Sequence, residues 1–487
     1  MNRRTFIRAA GAGGLTLTGR IGLGAAERAD PELRDWLEDS PRERIPRELA
    51  RRVRRGLRYE DLLCALAAAA VRNVQPYPIV GYKYHSVMVL RAVHSTAQHL
   101  SGPDHWLPIA WAADYFKEAQ AEERATADWR LPARGSAPVG NALAARRALI
   151  LALDNWDRDA ADAAVVNYAR AARPQEIVAL LFAYGARDLR AIGHKAIAVS
   201  NAHCLIELLG GSQSEPILRS TVAALQNSDA GPTPAGRDLA PDQPWRLNLQ
   251  RVREIPRNWK QGRNDSGARA ELHAALYRVS ELEAGPVVVE LLRRGISPDA
   301  IWQVLFDTAA ELLLNRPGIV PLHAQTTANA LHYAYRVCAD EATQQMSLLQ
   351  CAAFLAMFRK AVGMSQPDVS LAALEPLPLD GAAGDALEEI FADVSAGRRV
   401  QAARKSLGYL QRGNDPDALI AEARHHLAYN ADEPHDYKLS EAVFDSHAQL
   451  TDPTWRARFL SAGMAYFKAP ARRPGPVVEQ MLQGLEA

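Results

Sequence analysis

Helix-length apolar runs recur along the chain at Leu62 to Val71, Ile177 to Tyr184, Ile301 to Leu314 and Leu419 to Leu427. Each is followed by a short Pro, Gly or polar break and then a second patterned segment. Sustained period-two alternation rich in Val, Ile and Thr is missing, so the pattern predicts an all-α fold.

The runs are entered in a similar way. Arg54-Arg55-Gly56, Arg293-Arg294-Gly295 and Gln411-Arg412-Gly413 each close a helix with basic residues and a glycine suited to a left-handed C′ position. A polar cap follows, usually with proline in the next first turn, as at Pro298 and Pro416. A fourth copy, Ala171-Ala172-Arg173-Pro174, keeps the proline and has lost the glycine. Self-similarity of this kind marks one unit, about four helices long, written four times. The expected units are residues 43–142, 143–245, 270–370 and 385–480, forming an α-solenoid or a closed, toroid-like array around a histidine-lined cavity. Irregular segments are expected at about 118–142, 228–268 and 363–385.

The second patterned segment carries the chemistry. It runs from His85 to His94, His194 to His203, His323 to His332, and Lys438 to His447, with a spacing of nine each time. With 13 histidines in 487 residues, roughly 0.35 His pairs are expected at any one spacing, and three occur here in matched context. Nine steps of about 100° leave two side chains half a turn apart, so one pair cannot chelate one ion. Convergence has to come from different units. One candidate set is His85, His194, His323 and Lys438, with His435 nearby; the other is His94, His203, His332 and His447. The first lies beside the breaks, where a substrate enters. It supplies the candidate ligands or acid/base groups His85, His194, His323 and His435, for a transition metal such as iron, copper or manganese. Lys438 would stabilise a developing oxyanion. The competing reading is a repeated packing device, each ring hydrogen-bonded to a loop carbonyl in a non-catalytic scaffold or a metal-binding protein without turnover.

Composition narrows the field. Lys and Arg number 57 against 56 Asp and Glu, a net charge of +1, which removes the electrostatic case for nucleic acid. The four cysteines, Cys64, Cys204, Cys338 and Cys351, are scattered through apolar runs and read as small buried hydrophobes. His-Glu-x-x-His, phosphate-loop and dinucleotide fingerprints are missing. Residues 1–26 read as a twin-arginine export signal, with Arg3-Arg4 before Phe6 and a Gly/Ala stretch ending near Ala26. A periplasmic or secreted protein follows, with the export machinery and a small-molecule substrate as partners and no membrane-spanning segment.

The four segments, in this order, resemble the questin oxidase-like family. Asp432-Glu433-Pro434-His435-Asp436-Tyr437-Lys438 is similar to that family's Asp-x-x-His-x-x-Lys, and His323-Ala324-Gln325-Thr326 to its His-x-x-Thr. His194, preceded by Gly193 and followed by Lys195, resembles the histidine of its Phe-His-Gly segment, and His85 its N-terminal histidine. The resemblance spans most of residues 55 to 470. It implies an oxygen-using oxidation of a polyketide quinone or phenol, of the Baeyer–Villiger type, with NADPH as an accompanying cofactor.

Overall fold

The computed structural model describes residues 30–133, 141–228, 238–379, 381–470 and 473–487. The twin-arginine segment lies outside them. The described residues form 23 α-helices and no β-strand; Arg263 and Ile296 make one isolated bridge. No described helix is long and apolar enough to cross a membrane.

Local chemistry sets the helix ends. Gly56, Gly295 and Gly413 close their helices at φ of +94°, +73° and +80°, a conformation that a side chain disfavours. The next helices start on caps: the Ser297 hydroxyl accepts from the Ala300 amide at 3.1 Å, and the Asp415 carboxylate from the Asp417 amide at 2.9 Å. Pro174, Pro298 and Pro416 occupy first-turn positions, where the missing N–H is no loss.

Four helices make the centre. The first runs from His85–Met88 into Leu90–Gln98; the others are His194–Leu209, Ile319–Val337 and Pro434–Gln449. Each packs on the next, and the fourth packs back on the first. Their apolar sides are buried against the helices that precede them: Tyr59–Asn73, Pro174–Gly185, Pro298–Asn315 and Pro416–Asn430. All four cysteines are buried and free.

The expected irregular segments are partly helical. Leu107–Thr126 carries helix into the first, and Gln243–Arg251 stands within the second. In the first, Phe116, Ala119, Gln120 and Glu123 are buried, and that packing extends the helix past the polar composition that suggested a break. Between Ala361 and Ala383 no described residue is helical.

Candidate metal centre

The central helices begin together. His85 and His194 are the first residues of theirs, His435 the second and His323 the fifth. The four rings contact one another in a closed cycle, with centroid separations of 4.9 Å for His85–His194, 4.5 Å for His194–His323, 5.0 Å for His323–His435 and 4.6 Å for His435–His85. Each ring stands nearly edge-on to its neighbour. Nε2 of His194 lies 3.1 Å from Nε2 of His85 and 3.0 Å from Nε2 of His323. The four candidate ligand atoms all lie within 4.8 Å of one another.

What the other ring nitrogens do decides how this contact is read. Nδ1 of His85 faces the Tyr82 carbonyl at 2.9 Å, Nδ1 of His194 the Ala191 carbonyl at 2.8 Å, and Nδ1 of His323 the Ile319 carbonyl at 2.6 Å. Nδ1 of His435 faces the Glu433 carboxylate at 3.2 Å. All four partners are acceptors, so Nδ1 carries the proton in each neutral ring and Nε2 carries a lone pair; the network assigns these tautomers. Four lone pairs then point at one another. Protonating the rings is disfavoured, because burial and then the nearby Lys438 ammonium hold His85 and His194 well below the ordinary histidine value and push His323 down to about 3. Burial also lowers His435, against the opposing effect of the hydrogen bond it donates to Glu433. A cation at the centre satisfies all four nitrogens at once, and the acceptors on Nδ1 are the supporting groups that histidine ligands usually have.

The supports are built by strained backbone. Tyr82 and Ala191, whose carbonyls take the Nδ1 protons of His85 and His194, have φ of +44° and +50°, and the β-branched Ile192 has +45°. Buried ion pairs brace both loops. Lys83 reaches Glu123 at 2.8 Å before the first helix, and Lys195 reaches Asp188 at 2.8 Å at the start of the second. Gly193, at φ +85°, is forced: a Cβ there would come within 1.9 Å of the Thr327 hydroxyl oxygen on the third helix. Glu433 is held down to about 2, first by its hydrogen bond to His435 and also by that from the Tyr466 hydroxyl at 2.9 Å.

The second candidate set is not gathered. His94 packs on Tyr59 at 5.7 Å, His203 on Phe182 at 5.6 Å, and His332 on Trp302 at 4.8 Å, each against the helix preceding its own. His447 is buried near Arg456. His94, His203 and His332 lie half a turn from the ring histidines of their own helices, as nine steps require. One placement differs from the expected register. In the fourth helix the ring corner belongs to His435, the second residue of that helix, and Lys438 lines the cavity one turn deeper.

Beneath the ring a cavity is lined by the residues three, six and seven positions after the histidines: Ile197, Ser200 and Asn201; Thr326, Asn329 and Ala330; Lys438, Glu441 and Ala442. Arg91 and Ala92 fill the last two of these positions on the first helix. Sequence reading missed Glu433, Tyr466 and, apart from Lys438, this layer, although the layer's offsets were there to be read once the ring register was known. The chain matches no family model, and no curated protein or solved structure is similar to it.

Proposed function

We propose that this chain is an exported metal-dependent oxidoreductase whose four-histidine ring holds one redox-active ion, iron, copper or manganese, for the oxygen-using oxidation of a small phenolic or quinone substrate. The observation that carries the reading is the convergence of four Nε2 lone pairs, each fixed by an acceptor on its own Nδ1. Bonds of about 2.1 Å place tetrahedral ligands about 3.4 Å apart but square ones about 3.0 Å apart along an edge. The 3.0 and 3.1 Å separations and the cyclic contacts favour the square. His85, His194, His323 and His435 would hold the ion, and an all-imidazole set would suit a redox metal such as copper or iron, which would supply the one-electron chemistry an oxygen-using oxidation needs. The surface side of the ring is at His435, where the half-exposed Glu433 carboxylate and Tyr466 form a rim for an organic substrate. Export rests on Arg3-Arg4 and Phe6. On this reading the four helix sets are copies of one unit closed around the ring, and the questin oxidase-like resemblance supplies the substrate class.

Metal analysis of the purified mature chain tests it. About one equivalent of iron, copper or manganese is expected, with dioxygen uptake on hydroquinones that tracks metal content. His194→Ala and His323→Ala should lose the ion, whereas His332→Gln and His447→Gln keep it. A chain that takes up none of these ions, or ring variants with undiminished metal, overturns the proposal.

A further inference from the structure

The cavity beneath the ring has an unbalanced polar lining. Lys438 is 5% exposed, and its ammonium has no hydrogen-bond partner among the described residues. Arg91 enters from the first helix, with its nearest carboxylate, Asp445, at 3.5 Å and shared with Arg336 at 3.8 Å. The Asn201 amide lines the same space. Against these donors stands one carboxylate on the wall, Glu441, which burial pushes toward its protonated form and which Arg424 approaches at 3.7 Å. The remaining polar groups are occupied: Ser200 donates to the Ile197 carbonyl, Thr326 to the Leu322 carbonyl, and Asn329 to Asp445 and Ser446.

A buried ammonium left without an acceptor destabilises the fold, so a group that accepts from it is the missing component. The room amounts to on the order of one or two water molecules, which excludes an organic substrate and admits a small ion. We infer that the cavity is a binding site for a small inorganic anion of two or three atoms, held by Lys438, Arg91 and Asn201 below the inner face of the histidine ring.

The site's position relative to the ion rests on the proposed function; the anion site itself does not, and the two are separable by experiment. Azide is the probe, followed by its infrared stretching band and by calorimetry on the metal-free and metal-loaded chain, with metal content measured on every sample. Saturable binding is expected in both forms. Lys438→Met should weaken it at least about tenfold and Asn201→Ala several-fold, with metal stoichiometry unchanged. Lys438→Met removes an unpaired buried charge, so the variant should fold at least as well as the parent, and its melting temperature checks that. If no metal binds but azide still binds in a Lys438-dependent way, the anion site stands and the metal reading falls. If azide binds neither form, or binds only the loaded form with equal affinity in Lys438→Met, the anion site is overturned.

Discussion

A histidine becomes a ligand only when its other nitrogen is committed, and here four different acceptors make that commitment. Three are main-chain carbonyls, which fix the tautomer without adding charge; the fourth, Glu433, adds a negative charge beside the least buried of the four rings. Lys438 is the opposite kind of residue: fully buried, unpaired and pushed by desolvation down to about 7. The sign is that of a base whose folded-state value is depressed, so the penalty is full below pH 7 and fades above it as the ammonium deprotonates in the fold. A fall from 10.5 to about 7 corresponds to roughly 5 kcal/mol below pH 7. Lys438→Met should therefore raise the melting temperature of the metal-free, anion-free chain at pH 6 by several degrees, with a smaller gain at pH 9. A melting temperature that falls at pH 6 would mean that the ammonium has a partner in the fold and is stabilising.

At the scale of the helix, position along the first turn decides which residues meet. His85, His194 and His323 were legible because the same residue type recurs where a patterned run begins, beside a break. The fourth corner was only half legible. A spacing of nine links Lys438 to His447 as neatly as it links His194 to His203, but His435, three positions earlier, takes the corner. Two of the three carbonyl supports were not legible at all, because Tyr82 and Ala191 adopt left-handed backbone that their residue types disfavour and that only the surrounding packing imposes. Gly193 joins these elements: it sits between the strained turn and His194, against Thr327 of the next central helix. Gly193→Ala should displace the start of the second helix from the third. We expect destabilisation of about 2 kcal/mol or more and a 10- to 100-fold loss of metal affinity in chelator competition. A variant that binds metal like the parent would show that the ring does not depend on this contact.

For the whole molecule, closing four helices on one another places histidines in two layers, one at the ring and one farther along each central helix, where His94, His203 and His332 pack on the preceding helix and His447 is buried near Arg456. Histidines of the outer layer are neutral in the fold: burial pushes His94 down to about 4, His332 to about 3 and His447 to about 4. The unfolded chain binds protons on these residues near the ordinary value of 6.5, so between that value and the folded ones it carries more protons than the native state. Stability is therefore complete above about pH 6.5 and declines as pH falls toward 4, each such histidine removing roughly 1.4 kcal/mol per pH unit. The ring histidines shift in the same direction, and against a total stability of about 5–15 kcal/mol the sum is enough to unfold the metal-free protein by acid alone. We expect its melting temperature to fall steeply from pH 6.5 to pH 4.5, and His332→Gln to make that slope shallower. Metal loading should shift the decline to lower pH, because lone pairs held by an ion must be released before they can take protons. A melting temperature independent of pH across this range would mean that the buried histidines exchange protons as freely in the fold as outside it, and would remove the physical basis for neutral imidazole ligands at the ring.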